Sequence, residues 1–252
     1  MSLMHTLLIE EGVSQASHNY LDYHRDRFDY IAKKCRALCP DGRAAVLDIG
    51  RSQLSSRLLE DHGSVTTMGL PLSPQEQFGH EAGSQALSDG KSYAGHIVFD
   101  LNDAQWTDRI DTNQTFSLIV FAETIEHLYT APELVLGVLA RLLARNGFIV
   151  CQTPNATALH KRVRMMLGRN PYELLRINAG NRGHIREYTR KELIAIGRRA
   201  GLTTVSHEYR DYFGASGSLA KRAAITGLKL ASTLAPSMAR GQTIVYKRTA
   251  DV

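Results

Sequence analysis

Cysteine is scarce: Cys35, Cys39 and Cys151 are the three in a chain of 252 residues. A small odd number in a chain of this length argues against a disulfide framework. Cys35 and Cys39 lie four apart on an expected helix, a spacing that reads as packing or surface thiols rather than metal ligands. No uncharged apolar run approaches the roughly 18 residues that a membrane span requires. The first residues carry Glu10 and Glu11 and no basic cluster, so they make a poor secretory signal. Internal repeats and low-complexity tracts are missing. Neither sign of charge dominates: 30 Lys and Arg against 25 Asp and Glu leave a net +5, which favours an anionic partner only weakly. The expected setting is soluble, reducing and cytoplasmic.

What is present is an ordinary globular composition, 43% hydrophobic and 22% charged, enough for one large α/β core. His18–Cys39 reads as an amphipathic helix and Pro40-Asp41-Gly42 as a turn. Strands are expected at Ala44–Ile49, Val65–Leu70, His96–Asp100, Phe116–Phe121 and Phe148–Thr153. Helices are expected at Leu54–His62 and Pro132–Ala144, the second ended by Asn146-Gly147. Ser73–Gly95 reads mainly as a loop. Alternating strand and helix predict a doubly wound parallel sheet. Lys161–Arg169 then reads as a basic, Met-rich helix, and Thr189 with Glu192 as the capping box of another. Thr203–Phe213 and Gln242–Arg248 are two closing strands.

Two segments are the most informative. Val-Leu-Asp-Ile-Gly at Val46–Gly50 and Phe-Ala-Glu-Thr-Ile-Glu-His-Leu at Phe121–Leu128 are apolar strands that end in polar residues. Ligands of open parallel sheets sit outside the carboxyl ends of the strands. With Phe-Asp-Leu-Asn-Asp at Phe99–Asp103, the Asn146–Asn155 strand and His184-Ile-Arg-Glu-Tyr-Thr189 in order, the chain resembles class I S-adenosylmethionine-dependent methyltransferases, especially small-molecule O-methyltransferases. The resemblance implies a Rossmann-like, seven-stranded, mostly parallel sheet with helices on both faces and an antiparallel last strand. It also implies one domain over 1–252, with a helical segment at 1–42 and insertions at 156–188 and 214–241 covering the acceptor side.

The resemblance assigns S-adenosylmethionine to Asp48, Gly50, Ser52, Asp100, Leu101, Phe121 and Ala122. Two departures stand out. Ser52 and Leu54 occupy positions where the family has glycines. The second strand ends in Leu70-Pro71, without the carboxylate that holds the ribose hydroxyls; Ser73 or Glu76 is a candidate substitute. Glu123, Glu126 and His127 share one face if their segment is helical, and His184 follows after an Asn/Gly loop. The resemblance extends to metal-assisted relatives, in which such a set holds a magnesium-type ion beside the acceptor hydroxyl. Glu126, His127 and His184 are therefore the catalytic candidates, and Glu123, Glu126, His127 and His184 the metal ligands. Tyr172, Tyr188 and Asn155 are expected on the acceptor side.

Lys161, Arg162, Arg164 and Arg169, and the stretch Leu219–Ala235, are basic. They are expected to be solvated helix faces with an apolar side on the core, leaving at most weak membrane-surface contact and no nucleic-acid binding. The leading expectation is methyl transfer to a small-molecule hydroxyl. The alternatives are an RNA or lipid-linked acceptor, or a methyltransferase fold that binds without catalysis.

Overall fold

The computed structural model describes residues 24–72, 92–110, 112–177, 183–212, 226–227 and 232–248. Residues 73–91 of the expected Ser73–Gly95 loop, the Asn178–Asn181 loop and most of Leu219–Ala235 lie outside them, as do Ser73 and Glu76. The last four residues of the expected loop, 92–95, belong to the third strand, which starts before the expected His96.

Seven strands form one sheet: β1 Val46–Ile49, β2 Ser64–Gly69, β3 Ser92–Val98, β4 Phe116–Ala122, β5 Leu143–Pro154, β6 Leu202–Arg210 and β7 Gly241–Arg248. Their order is β3-β2-β1-β4-β5-β7-β6. β1 pairs in parallel with both β2 and β4, and β7 runs antiparallel to β5 and β6. Strand order therefore reverses between β1 and β4, the position at which such sheets open a crevice.

Period-two alternation sends the strand side chains into two cores. Val46, Leu118, Val120, Val150 and Val245 meet α1 (24–38) through Phe28 and Ile31, and α2 (Gln53–His62) through Leu54, Leu58 and Leu59. On the other face Leu47, Ile119, Phe121, Ile149 and Tyr246 meet α3 (Pro132–Leu142) through Leu136 and Leu139. α5 (Arg190–Arg199) adds Leu193 and Ile196 to that core. Each fully buried Leu or Ile stabilises the fold by about 1.5–3 kcal/mol relative to exposure. α5 presses closest at Gly197, where an added Cβ would lie 2.3 Å from a Tyr246 ring carbon.

The capping box at Thr189 forms as its sequence predicts: its side chain accepts from the Glu192 amide at 3.3 Å, and Glu192 accepts from the Thr189 amide at 2.7 Å. Three expectations need correction. Asn146-Gly147 does not end α3; the helix stops at Leu142 and the chain passes straight into β5. The pair instead forms a kink in that strand, with Asn146 at φ 66° and Gly147 so close to β4 that a Cβ would meet the Ser117 carbonyl at 2.9 Å. The third strand ends at Val98 rather than Asp100, because the Asp100 carboxylate accepts from the Asn102 amide at 2.8 Å and starts a 3-10 turn. The third correction concerns α4 (Leu159–Met166), whose one buried residue is Lys161. Its apolar side chains do not face the core.

Candidate active site

A cavity of about 590 Å³ opens at the carboxyl ends of β1 to β4. β1 contributes Gly50 and Arg51, β2 Met68 to Leu70, and β3 with its following turn His96 and Phe99 to Asn102. Thr124, His127, Leu128 and Tyr129 come from the segment after β4, and Gly183 from a later loop.

Gly50 has φ 80°, a left-handed conformation that suits glycine, and nothing lies within 4 Å of where its Cβ would be. The two departures from glycine become intelligible here. Ser52 caps α2, accepting from the Leu54 amide at 3.2 Å, while the Ser52 amide donates to Ser55 Oγ at 3.0 Å. Leu54 turns into the core beside α1. Asp48 does not line the cavity; it is buried and accepts from Ser55 Oγ at 2.6 Å. Burial pushes its carboxyl up to about 7, against the opposing pull of that hydrogen bond and of Arg27. Phe121 is a core residue and Ala122 is partly buried; neither borders the cavity. Asp100 and Leu101 do, and Asp100 is the one carboxylate among the described lining residues. At the end of β2, where the sequence has no acid, His96 bridges Thr67 Oγ1 at 2.8 Å and the Leu70 carbonyl at 3.0 Å. The carbonyl can only accept, so Nε2 carries the proton and Nδ1 accepts from Thr67.

The acid–imidazole set is built around a turn rather than an α-helix. Glu123 sits at φ 51°, an unusual conformation for a residue with a Cβ, and a 3-10 turn follows at Ile125–His127. This bend separates the four predicted ligands. Donor atoms of Glu126, His127 and His184 lie within 4.8 Å of one another, and Glu123 is outside that group. Glu123 lies 3.8 Å from the buried Arg27 guanidinium of α1. Glu126 is fully buried; its Oε2 accepts from Thr153 Oγ1 at 2.9 Å, and its Oε1 has no hydrogen-bond partner. That orphaned oxygen lies 3.9 Å from His127 Nε2.

Both imidazoles have their tautomers set from outside the cluster. His127 Nδ1 lies 2.9 Å from the Gly183 carbonyl and His184 Nδ1 lies 3.1 Å from Glu187 Oε1. Both partners accept, so both Nδ1 atoms donate, and in the neutral form of each ring Nε2 keeps a lone pair. The rings meet edge to face with centroids 4.9 Å apart. Glu187 is held in turn by the buried Lys161, which also donates to the Asn155 carbonyl at 3.1 Å.

Burial dominates the electrostatics. It raises Glu126 well above the usual carboxylate range, helped by the nearby Glu123 charge, and raises Glu123 to about 7 against Arg27 and Lys161. It lowers His184 to about 4, with His127 adding to the effect. It lowers Lys161 to about 8, although Glu123 and Glu126 pull the other way. Lys161 and Glu187 are therefore parts of the site that the residue pattern did not single out. Glu187 lies three residues after His184, a spacing that was visible; the burial of Lys161 was not. Asn155 and Tyr188 are structural, joined by a β-bridge, with the Asn155 amide donating to the Ser237 and Ala239 carbonyls. Tyr172 is exposed.

A family model described as a methyltransferase domain matches residues 23–207. The chain belongs to that methyltransferase family. The fold of the methyltransferase is similar to that of an S-adenosylmethionine-dependent methyltransferase of Archaeoglobus fulgidus, at 13% identity, 92% and 99% coverage and a TM-score of 0.52. No curated protein sequence matches this chain. Among solved structures it is similar to the 1,6-didemethyltoxoflavin-N1-methyltransferase of Burkholderia thailandensis, solved with 1,6-didemethyltoxoflavin and S-adenosylhomocysteine bound. That pair is 16% identical, covers 96% of this chain and 90% of the other, and has a TM-score of 0.51. It is similar to the magnesium protoporphyrin IX methyltransferase ChlM of Synechocystis, at 12% identity, 90% and 86% coverage and a TM-score of 0.54. An S-adenosylmethionine-dependent methyltransferase of Clostridium acetobutylicum shares 11% identity over 94% of this chain and 99% of its own, with a TM-score of 0.57. Among the described residues no helix of the methyltransferase is long and apolar enough to cross a membrane.

Proposed function

We propose that the methyltransferase transfers a methyl group to the hydroxyl of a small molecule, assisted by a divalent cation at Glu126, His127 and His184. The observation that carries this reading is the convergence of those three donors within 4.8 Å, with a buried Glu126 oxygen that has no hydrogen-bond partner. Two imidazoles and a carboxylate suit a borderline ion such as Zn²⁺ better than Mg²⁺, which prefers oxygen ligands. His127 also lines the cavity, so the cluster opens towards it.

The cavity has the features expected of the cofactor site: a left-handed Gly50, the Asp100 carboxylate, and the apolar Met68, Leu101 and Leu128. Asp48, Ser52, Phe121 and Ala122 are not among its described lining residues. When bound, S-adenosylmethionine supplies an electrophilic methyl on sulfur; the carbon–sulfur bond breaks with its electron pair left on a neutral thioether. The residues of the chain have two tasks. They align acceptor oxygen, methyl and sulfur, and they would make the hydroxyl nucleophilic: Glu126, His127 and His184 would hold a cation that lowers the pKa of a hydroxyl beside it, so that its proton could pass to solvent. A second reading follows from the His184–Glu187 pair. Glu187 orients the ring, and the Nε2 lone pair of His184 removes the hydroxyl proton without a metal. A small-molecule acceptor is also what the Burkholderia relative binds.

Calorimetric titration tests both parts. Micromolar binding of S-adenosylhomocysteine is expected, and Asp100→Ala is expected to weaken it roughly 10- to 100-fold through loss of a charged acceptor. Titration with Mn²⁺, Zn²⁺ and Mg²⁺ is expected to show one site that Glu126→Ala abolishes. Metal binding that survives Glu126→Ala, or no metal binding at all, overturns the metal reading and leaves His184 as the base. No binding of S-adenosylhomocysteine at millimolar concentration overturns the cofactor site.

A further inference from the structure

A helix on the surface of a globular protein normally buries an apolar stripe and exposes its charges. The end of α4 and the irregular segment after it, residues 162–177, do the opposite. Apart from Pro171 every residue of this run is exposed, while Lys161, at its start, is buried. Of the fifteen large apolar side chains exposed among the described residues, eight fall between 163 and 177. Met166 is 85% exposed and Leu174 88%; Met165, Leu167 and Leu175 are each more than half exposed. Isolated exposed apolar residues are ordinary, but a concentration like this marks an interaction surface.

The charges between these residues indicate what it meets. Arg162, Arg164, Arg169 and Arg176 are distributed along the run, and its single acid, Glu173, pairs with Arg176 at 2.9 Å. The centre of a protein interface is anchored by Trp, Tyr and Arg and is otherwise depleted of charge, whereas four arginines are spread through this run. Here the one aromatic is Tyr172, whose ring is already covered by Lys161 at 5.8 Å. Flexible Met and Leu side chains set among arginines match a different surface, one with apolar depth beneath a layer of negative charge. Arginine stems can lie along the apolar residues while their guanidinium groups reach phosphates.

We infer that residues 162–177 form a docking surface for an anionic phospholipid membrane, with Met165, Met166, Leu167 and Leu174 entering the acyl boundary and the arginines meeting the headgroups. This is peripheral contact of the kind made by amphipathic interfacial segments. It does not depend on what the Glu126–His127–His184 cluster binds.

The test is co-sedimentation of the full chain with vesicles of phosphatidylcholine alone and of phosphatidylcholine mixed with phosphatidylglycerol. Binding to the anionic vesicles and not to the neutral ones is expected, weakening as salt is added. Arg164→Gln and Arg169→Gln are each expected to weaken it roughly fivefold. Met166→Asp with Leu174→Asp is expected to weaken it at least about tenfold, with circular dichroism and S-adenosylhomocysteine binding unchanged. Equal binding to both vesicle types, no binding to either, or binding that these variants leave intact overturns the inference. So does sedimentation equilibrium showing a self-associated chain that the double variant converts to monomer, because the surface is then an interface between two copies.

Discussion

α4 and α5 are short, strongly basic helices of similar amphipathic pattern, and they are used in opposite senses. α5 buries Leu193, Ile196 and Gly197 against the sheet and leaves its arginines outside. α4 buries Lys161 and leaves Val163, Met165 and Met166 outside. Hydrophobic periodicity identifies a face; it does not identify what covers that face. In α5 the cover is β7, with Tyr246 Oη donating to the Leu193 carbonyl at 2.8 Å. In α4 the inward position belongs to a lysine because carboxylates are already buried there, Glu187 in contact with it and Glu123 and Glu126 near enough to act on its charge.

The contrast can be broken from either helix. The largest expected effect is from Lys161→Ala, which leaves Glu187 buried without its ammonium partner. Breaking a buried pair costs about 3–5 kcal/mol, and urea denaturation measures the loss. His184 remains as a second hydrogen-bond partner for Glu187. Leu193→Ala on α5 is expected to cost about 2–5 kcal/mol, as core truncations do, with the same readout. Met166→Ser on α4 is expected to change stability by no more than about 0.5 kcal/mol. A cost for Met166→Ser comparable to that of Leu193→Ala would mean that the α4 surface is covered within the molecule and that the contrast is false.

Much of the sheet was legible in the sequence. The polar endings of β1 and β4 located the crevice, and the Thr189–Glu192 pair announced a helix start that the structure reproduces. Asn146-Gly147 was misread because a left-handed residue before glycine serves a helix end and a strand kink equally well. Packing against Ser117, a long-range contact, decides between them. The spacing of Glu123, Glu126 and His127 puts them on one face only if the segment is helical, and a left-handed Glu123 instead turns its own side chain towards Arg27. The substitution of Ser52 and Leu54 for glycine looked like damage to a ligand turn. In the fold one is a helix cap and the other a core residue, and Gly50 alone has the left-handed backbone at that turn. Lys161 could not have been located, since a lysine in a basic run reads as surface until the groups beneath it are known.

The reversed direction of β7 has a practical consequence. Its start, Gly241, lies beside Pro154 at the carboxyl edge of β5, and its end lies beside Phe148 at the opposite edge, with Arg248 donating to the Leu143 carbonyl at 3.1 Å. A fluorophore or surface tether attached at Arg248 therefore sits on the side of the sheet away from the crevice. An immobilised molecule held in this way presents its open end to the solution, an orientation suited to measuring ligand arrival and departure one molecule at a time.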